Sequence, residues 1–260
     1  MGLLHRFTRS SKIHDDVADR FRRYLASGCI LDLPAGKGEN SRGLIAGGFE
    51  VRAADLYPDK SSGAGFPVDR VDLTGPLPYA DASFDGVLFS EGVEHLDAQV
   101  AALEEMARVL KPGGVLIVTT PNVLHLEGRL TQMLTGHPYR NRSIAVHTAA
   151  YWGGEKPREP GTAATYFGHV FLIDAFQLRF YITHVGLEVV EVDTTRYSWK
   201  SILLAPILFP FVWLGTRGIL ANKRSRIPRD LQRRLLREIT SPAVLFGRKL
   251  IMVARKPGPA

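Results

Sequence analysis

The stretch Ile30-Leu-Asp-Leu-Pro-Ala-Gly-Lys-Gly-Glu-Asn40 constrains this chain more than any other. It reads as a buried strand, a glycine-bearing turn and the start of a helix, the unit from which parallel sheets are assembled. Gly36 and Gly38 give the turn access to positive φ and leave bare backbone for a ligand to approach. The same rhythm runs on either side. Ala18–Leu25 predicts a leading helix closed by Gly28, and Cys29–Leu33, Glu50–Ala54, Val68–Val71, Phe84–Phe89 and Val115–Thr119 predict strands. Helices are expected at Ser41–Ala46 and Ala98–Leu110, the latter with apolar spacing at Val100, Leu103, Met106, Ala107 and Leu110 and a stop at Lys111-Pro-Gly-Gly114. A helix over Asp174–Val185 and strands at Leu187–Val192 and Leu250–Ala254 complete an α/β pattern with helices on both faces of a sheet.

Charge discriminates between ligands for the glycine turn. Gly36-x-Gly38-x-x-Ser41 nearly satisfies the spacing of a dinucleotide-binding loop. Asp32, at the strand's carboxyl end, would repel a pyrophosphate and suits a ligand bearing an ammonium or sulfonium group. S-adenosylmethionine carries both, with a ribose and an adenine. Asp55 ends the second strand seventeen residues after Gly38, near the spacing at which an acid accepts from ribose hydroxyls, and Asp72-Leu73 follows the third strand, where a carboxylate can accept from an adenine amino group. The competing reading of each acid is a local cap at a strand-to-turn junction. It is weakest for all three together, because they share the crevice side of an open sheet.

Together with these acids, Leu31-Asp-Leu-Pro-Ala-Gly-Lys-Gly38, Phe84-Asp-Gly-Val-Leu-Phe-Ser-Glu-Gly-Val-Glu-His-Leu96 and Arg108-Val-Leu-Lys-Pro-Gly-Gly-Val-Leu-Ile-Val-Thr-Thr-Pro-Asn122 resemble a class I S-adenosylmethionine-dependent methyltransferase. The resemblance is strong over 25–122 and weaker through 169–193. It implies a doubly wound, seven-stranded, mostly parallel sheet whose final strand is antiparallel. It implies S-adenosylmethionine as cofactor, with Asp32, Gly36 and Gly38 at the methionine end, Asp55 and Leu56 at the ribose, and Asp72 and Leu73 at the adenine. Ser90 and Glu91 would line the pocket under the methyl group. Pro34 stands in the loop where the family usually has Gly.

Glu91-Gly-Val-Glu-His95 is a second cluster, and in this family it faces the methyl group. Three readings stand beside one another. His95 can serve as general base on an acceptor hydroxyl. Glu91, Glu94 and His95 resemble a group that binds a divalent ion in quinone O-methyltransferases. Glu94 and His95 can also simply anchor the following helix. Among the other histidines, His125, His137 and His147 read as surface or packing residues, while His169 is a second catalytic candidate because it precedes the helix that closes the pocket in relatives.

The rest of the chain departs from the regular pattern. Residues 136–168, rich in Gly, Pro, His and aromatics, read as an irregular lid insert within a methyltransferase domain of residues 1–198. Residues 199–240 form an apolar and basic insertion, and 241–260 return a final strand to the sheet and end in a tail. The apolar run from Trp199 to Gly215 is interrupted by Pro206 and Pro210 and holds sixteen uncharged residues between Lys200 and Arg217. That is short of the roughly twenty a spanning helix needs, so a broken hairpin or an in-plane membrane segment is expected, with a buried hairpin as the bland competitor. From Arg217 onward there are twelve Lys or Arg against two acids, Asp230 and Glu238, and the remainder is mildly acidic. Arg226, Arg229, Arg233 and Arg237 share one helical face, with Lys223, Arg224 and Arg234 nearby. Such a tail suits an anionic membrane surface, and the apolar run beside it argues against nucleic acid.

A single cysteine, Cys29, excludes a disulfide framework and suits a reducing compartment. The first twenty residues lack an apolar core of signal-peptide length, so a cytoplasmic protein, peripheral on the inner membrane face, is expected. The expected reaction is O-methylation of a membrane-proximal acceptor. A lipid-linked sugar or surface-glycan precursor comes first, and a quinone-type or other lipid second. A non-catalytic docking module that keeps the fold is the rival from another class.

Overall fold

A computed structural model describes residues 14, 17–61, 65–137, 169, 171–222 and 228–258. Of the lid insert at 136–168, residues 138–168, with His147, lie outside the described residues, as do the basic residues Lys223, Arg224 and Arg226. Seven strands form one sheet in the order β3-β2-β1-β4-β5-β7-β6. The strands are β1 (Cys29–Asp32), β2 (Glu50–Asp55), β3 (Val68–Arg70), β4 (Phe84–Ser90), β5 (Leu110–Pro121), β6 (Glu188–Asp193) and β7 (Lys249–Arg255). All neighbours pair in parallel except β7, which is antiparallel to both β5 and β6. The doubly wound, mostly parallel sheet with an antiparallel final strand is therefore present as expected.

Alternation along the strands builds two cores. Ile30, Leu88, Val115, Ile117 and Ile251 point to one face, where they meet Val17 and Phe21 of α1 (Val17–Arg22) and Leu44 of α2 (Glu39–Ala46). Their neighbours Leu31, Val87, Phe89, Leu116, Val118 and Met252 point to the other. There they pack on Leu103 and Met106 of α3 (Gln99–Val109) and on Leu178 and Ile182 of α5 (Ala175–His184). A period of two along each strand and helices on both sides make the strands nearly continuous in apolar character.

Three elements differ from the sequence reading. Helix α3 stops at Val109 as expected, but Lys111-Pro-Gly-Gly114 belongs to the next strand: β5 begins at Leu110, the pairing with β4 shifts between Phe84 and Gly86, and Gly113 has φ 79°. A helix α4 (Leu126–Thr135) follows β5, and the sequence reading has no counterpart for it. The apolar run is one continuous helix, α6 (Trp199–Leu220), with Pro206 and Pro210 inside it, not a broken hairpin. Each proline removes one N–H and so frees one carbonyl four residues back. Because the two prolines are themselves four apart, both defects fall on one side of a long helix, and its other bonds continue. Two shorter helices, α7 (Arg229–Ile239) and α8 (Pro242–Phe246), lead back to β7.

Candidate active site

The parallel strands all end on one edge, and the loops there carry the predicted donor residues. After β1, Ala35 N–H donates to the Ala54 carbonyl at 2.8 Å and Gly36 N–H donates to Asp55 Oδ2 at 2.8 Å, so the glycine turn is strapped to the end of β2. Gly36 and Gly38 take φ of 55° and 73°, and Gly38 caps α2. Pro34 lies against Gly92 at the start of the loop after β4: a Cβ on Gly92 would stand 2.8 Å from Pro34 Cδ and 2.3 Å from Phe89 Cε2. The departure from the family's Gly is thus filled by a ring packed on a glycine.

Asp32 is fully buried beneath this turn. Ser41 Oγ donates to its Oδ2 at 2.5 Å, its Oδ1 has no hydrogen-bond partner, and burial pushes its pKa up to about 7. It therefore supports the loop from below instead of standing in the open crevice. Asp55 is also buried, accepting from Gly36 N–H through Oδ2 and from Tyr57 N–H through Oδ1 at 2.8 Å, which leaves lone pairs on both oxygens for ribose hydroxyls. Asp72 Oδ1 accepts from Thr74 N–H at 2.9 Å and Thr74 Oγ1 at 2.6 Å, so at that oxygen the local-cap reading is realised. Leu56 and Leu73 are half-buried beside these acids.

The residues present fit S-adenosylmethionine. Nothing lies within 4 Å of where a Cβ on Gly36 would stand, so bare backbone faces open space at this turn. An orphaned carboxyl oxygen waits beneath it. The methionine end would be held by Gly36 and Gly38, the ribose by Asp55.

The segment after β4 carries the second predicted cluster. Ser90 is buried, its Oγ 3.0 Å from Thr119 Oγ1. Glu91 adopts φ 53°, a left-handed conformation that costs a residue with a side chain of order 1 kcal/mol. It is held there by its N–H to the Thr119 carbonyl at 3.0 Å and by an ion pair with Lys249 at 3.0 Å. Glu94 is fully buried, accepts from Thr120 Oγ1 at 3.0 Å, and has its pKa pushed up to about 8 by burial, with Glu91 adding to the rise. His169 Nε2 lies 3.9 Å from Glu94 Oε1, and the His95 and His169 rings meet edge to face at 5.0 Å.

The structure thus gathers His95, His169 and Glu94, whose ligand atoms all lie within 4.8 Å of one another, and sends Glu91 to Lys249 instead. The expected triplet of Glu91, Glu94 and His95 is not the set brought together. His125 caps α4, accepting from Gly128 N–H at 3.1 Å, and burial lowers its pKa to about 4, in keeping with a packing role. Ser41, Thr119, Thr120 and Lys249 all hold site residues; Ser41 closes the glycine spacing without marking itself as a partner of Asp32, and the other three do not stand out in the sequence. Thr119-Thr120 ends a predicted strand at the right edge, which is the one signal that could have found them.

A mostly parallel sheet with an antiparallel seventh strand, a glycine turn strapped to an acid on the neighbouring strand, and titratable groups after β4 define a class I S-adenosylmethionine-dependent methyltransferase. The chain belongs to the methyltransferase-domain family, whose model matches residues 5–192. It is 44% identical over 129 residues to a demethylmenaquinone methyltransferase of Mycobacterium sp. (strain KMS), a match covering 47% of this chain and 56% of the relative. It is 39% identical over 93 residues to the protein of that name from Beutenbergia cavernae, covering 34% and 39%. The chain spans about half the length of the curated relatives it matches first. Among solved structures it is similar in fold to a SAM-dependent methyltransferase from Archaeoglobus fulgidus, with TM-score 0.52, 17% identity and 94% of each chain covered. It is likewise similar to one from Methanosarcina mazei, with TM-score 0.54, 17% identity and 92% and 98% covered.

Proposed function

We propose that this methyltransferase acts on a lipid-soluble acceptor of quinone type, one polar ring carried on a long apolar chain. The observation that carries the reading is a groove of about 500 Å³ between α4 and α6, lined by Leu130, Leu134, Trp199, Leu203 and Leu204. Helix α4 leaves the end of β5 and α6 follows the end of β6, so both first turns stand at the edge where the donor loops lie. Ser201 Oγ sits 3.2 Å from His125 Nδ1, and Ser198 Oγ donates to Glu127 Oε2 at 3.1 Å, which holds the groove's mouth in shape. The name borne by the mycobacterial relatives supports the quinone-type ring over the lipid-linked sugar, which shares the apolar chain and differs in its head.

Bound S-adenosylmethionine supplies a methyl group on a sulfonium, open to in-line attack. The chain's own task is to position the acceptor and manage one proton. His95 and His169, whose rings meet after β4, are the groups assigned to take a proton from a ring hydroxyl, and removing that proton raises the nucleophilicity of both the oxygen and the adjoining ring carbon. The proton rests on an imidazole, and Glu94 behind His169 favours that charged form as it ionises. Most of the rate would come from holding the two reactants in line.

Mass spectrometry of lipid extracts from cells with and without this protein tests the reading. Loss of a lipid-soluble aromatic species and accumulation of its homologue lighter by one CH₂ is expected. Unchanged quinones, with the mass change confined to water-soluble metabolites, would contradict it.

A further inference from the structure

Helix α6 presents an apolar face that the protein leaves uncovered. Leu203, Ile207, Phe211 and Leu214, spaced four, four and three apart, fall on one side and are between 59% and 71% exposed. None of the helix's most apolar stretch is buried against the protein, and it is long and apolar enough, by length and composition, to enter a membrane. Two tryptophans on it carry cations over their rings, Lys200 Nζ at 5.9 Å from the Trp199 centroid and Arg217 Cζ at 5.1 Å from Trp213. Aromatic rings paired with basic side chains suit the boundary between acyl chains and headgroups.

Past the second tryptophan lies a cleft of about 340 Å³ between α6 and α7. Arg217, Arg229 and Arg233 line it above an apolar floor of Leu220 and Leu236, and no carboxylate is among its described lining residues. Three guanidiniums over an apolar floor match a phosphate whose lower side is hydrocarbon.

Topology decides how the helix meets a bilayer. At 1.5 Å per residue its 22 residues extend about 33 Å, enough to cross a hydrocarbon core of about 30 Å. Yet α6 starts just after β6, and the chain after it returns to β7, which pairs with β6 and β5. A crossing would need a second passage on the way back. The described helices there are 11 and 5 residues long, the first of them rich in arginine.

We propose that α6 lies in the plane of an anionic phospholipid bilayer, with its Leu203–Leu214 face among the acyl chains and a lipid phosphate held by Arg217, Arg229 and Arg233. This deepens the lipid-acceptor reading by naming the surface from which the acceptor comes: in this orientation the α4–α6 groove opens beside the membrane. Exposed Met133 and Leu134 at the end of α4 extend the apolar side.

The test is flotation of the full chain with vesicles, run beside a titration of the same samples with S-adenosylmethionine as a check on folding. The chain is expected to float with phosphatidylcholine vesicles containing phosphatidylglycerol, much less with phosphatidylcholine alone, and to be stripped by alkaline carbonate. Replacing Arg217, Arg229 and Arg233 by Gln should weaken partition about a hundredfold, at roughly 1 kcal/mol per surface cation. Ile207→Ser with Phe211→Ser, both exposed and outside the groove, should weaken it with donor binding kept. Donor binding without flotation overturns the proposal while the methyltransferase reading stands, and flotation without donor binding does the reverse. Equal binding to both vesicle types, unchanged flotation of the arginine variant, resistance to carbonate, or capture by duplex DNA in place of vesicles would each overturn it.

Discussion

At the scale of the residue, the site depends on carboxyl groups kept out of water. Asp32 and Glu94 both have folded pKa values raised by burial, to about 7 and about 8, from ordinary values of 3.8 and 4.5. The native chain therefore holds protons that the unfolded chain has released, and stability falls as pH rises from about 4 toward 8. Thermal unfolding across that range should show this slope, and Asp32→Asn with Glu94→Gln should flatten it; an unchanged slope would mean these groups are not buried as described. A second prediction concerns packing. Gly92→Ala would drive a Cβ into Phe89 and Pro34, and urea denaturation should show a loss of roughly 1–3 kcal/mol. The positions of Asp32, Asp55 and Asp72 were legible because strand ends can be read locally. Long-range pairings were not: Lys249 reaches Glu91 from the far end of the chain, and His169, though itself a candidate in the sequence, joins Glu94 and His95 only across the insert.

At the scale of the element, one buried ion pair fastens the first helix to the sheet's edge. Arg20, on α1 and fully buried, donates to Asp193 Oδ2 at 2.9 Å at the end of β6 and to the Thr194 carbonyl at 3.4 Å. Removing one partner strands a buried charge. Arg20→Ala should therefore cost about 3–5 kcal/mol in denaturant unfolding; a loss below about 1 kcal/mol, the worth of a surface pair, would contradict the burial. Strands and the helices α2, α3 and α5 were readable because their apolar periods are strong. Helix α4 had its signal in Leu126, Leu130 and Leu134 before Gly136, but those leucines sit beside an irregular stretch that masks the period. Helix α6 was misread because two prolines weigh heavily in a local reading, whereas the rest of the helix outweighs two lost bonds.

At the scale of the whole molecule, the sheet sorts the chain's functions along one edge. Glycine and acid loops stand after β1, β2 and β3, the Glu94–His95 cluster after β4, and the apolar groove between the helices that follow β5 and β6. That order follows from parallel strands ending on a common side, which is why motif order in the sequence maps onto position in the site. The charge division also reads at this scale: a mildly acidic body carries the catalytic edge, and a basic end carries the arginine cleft. Donor binding should act on the entire fold, since a ligand held at one hundred times its Kd stabilises the native state by about 2.7 kcal/mol.

Calorimetric titration of S-adenosylmethionine into the folded chain and its Asp55→Ala and Gly36→Val variants tests the central claim most directly. One donor bound per chain, with affinity at least tenfold weaker in each variant, is the expected result. An intact, folded chain that takes up no donor, or variants that bind it as tightly as the parent, would contradict the account.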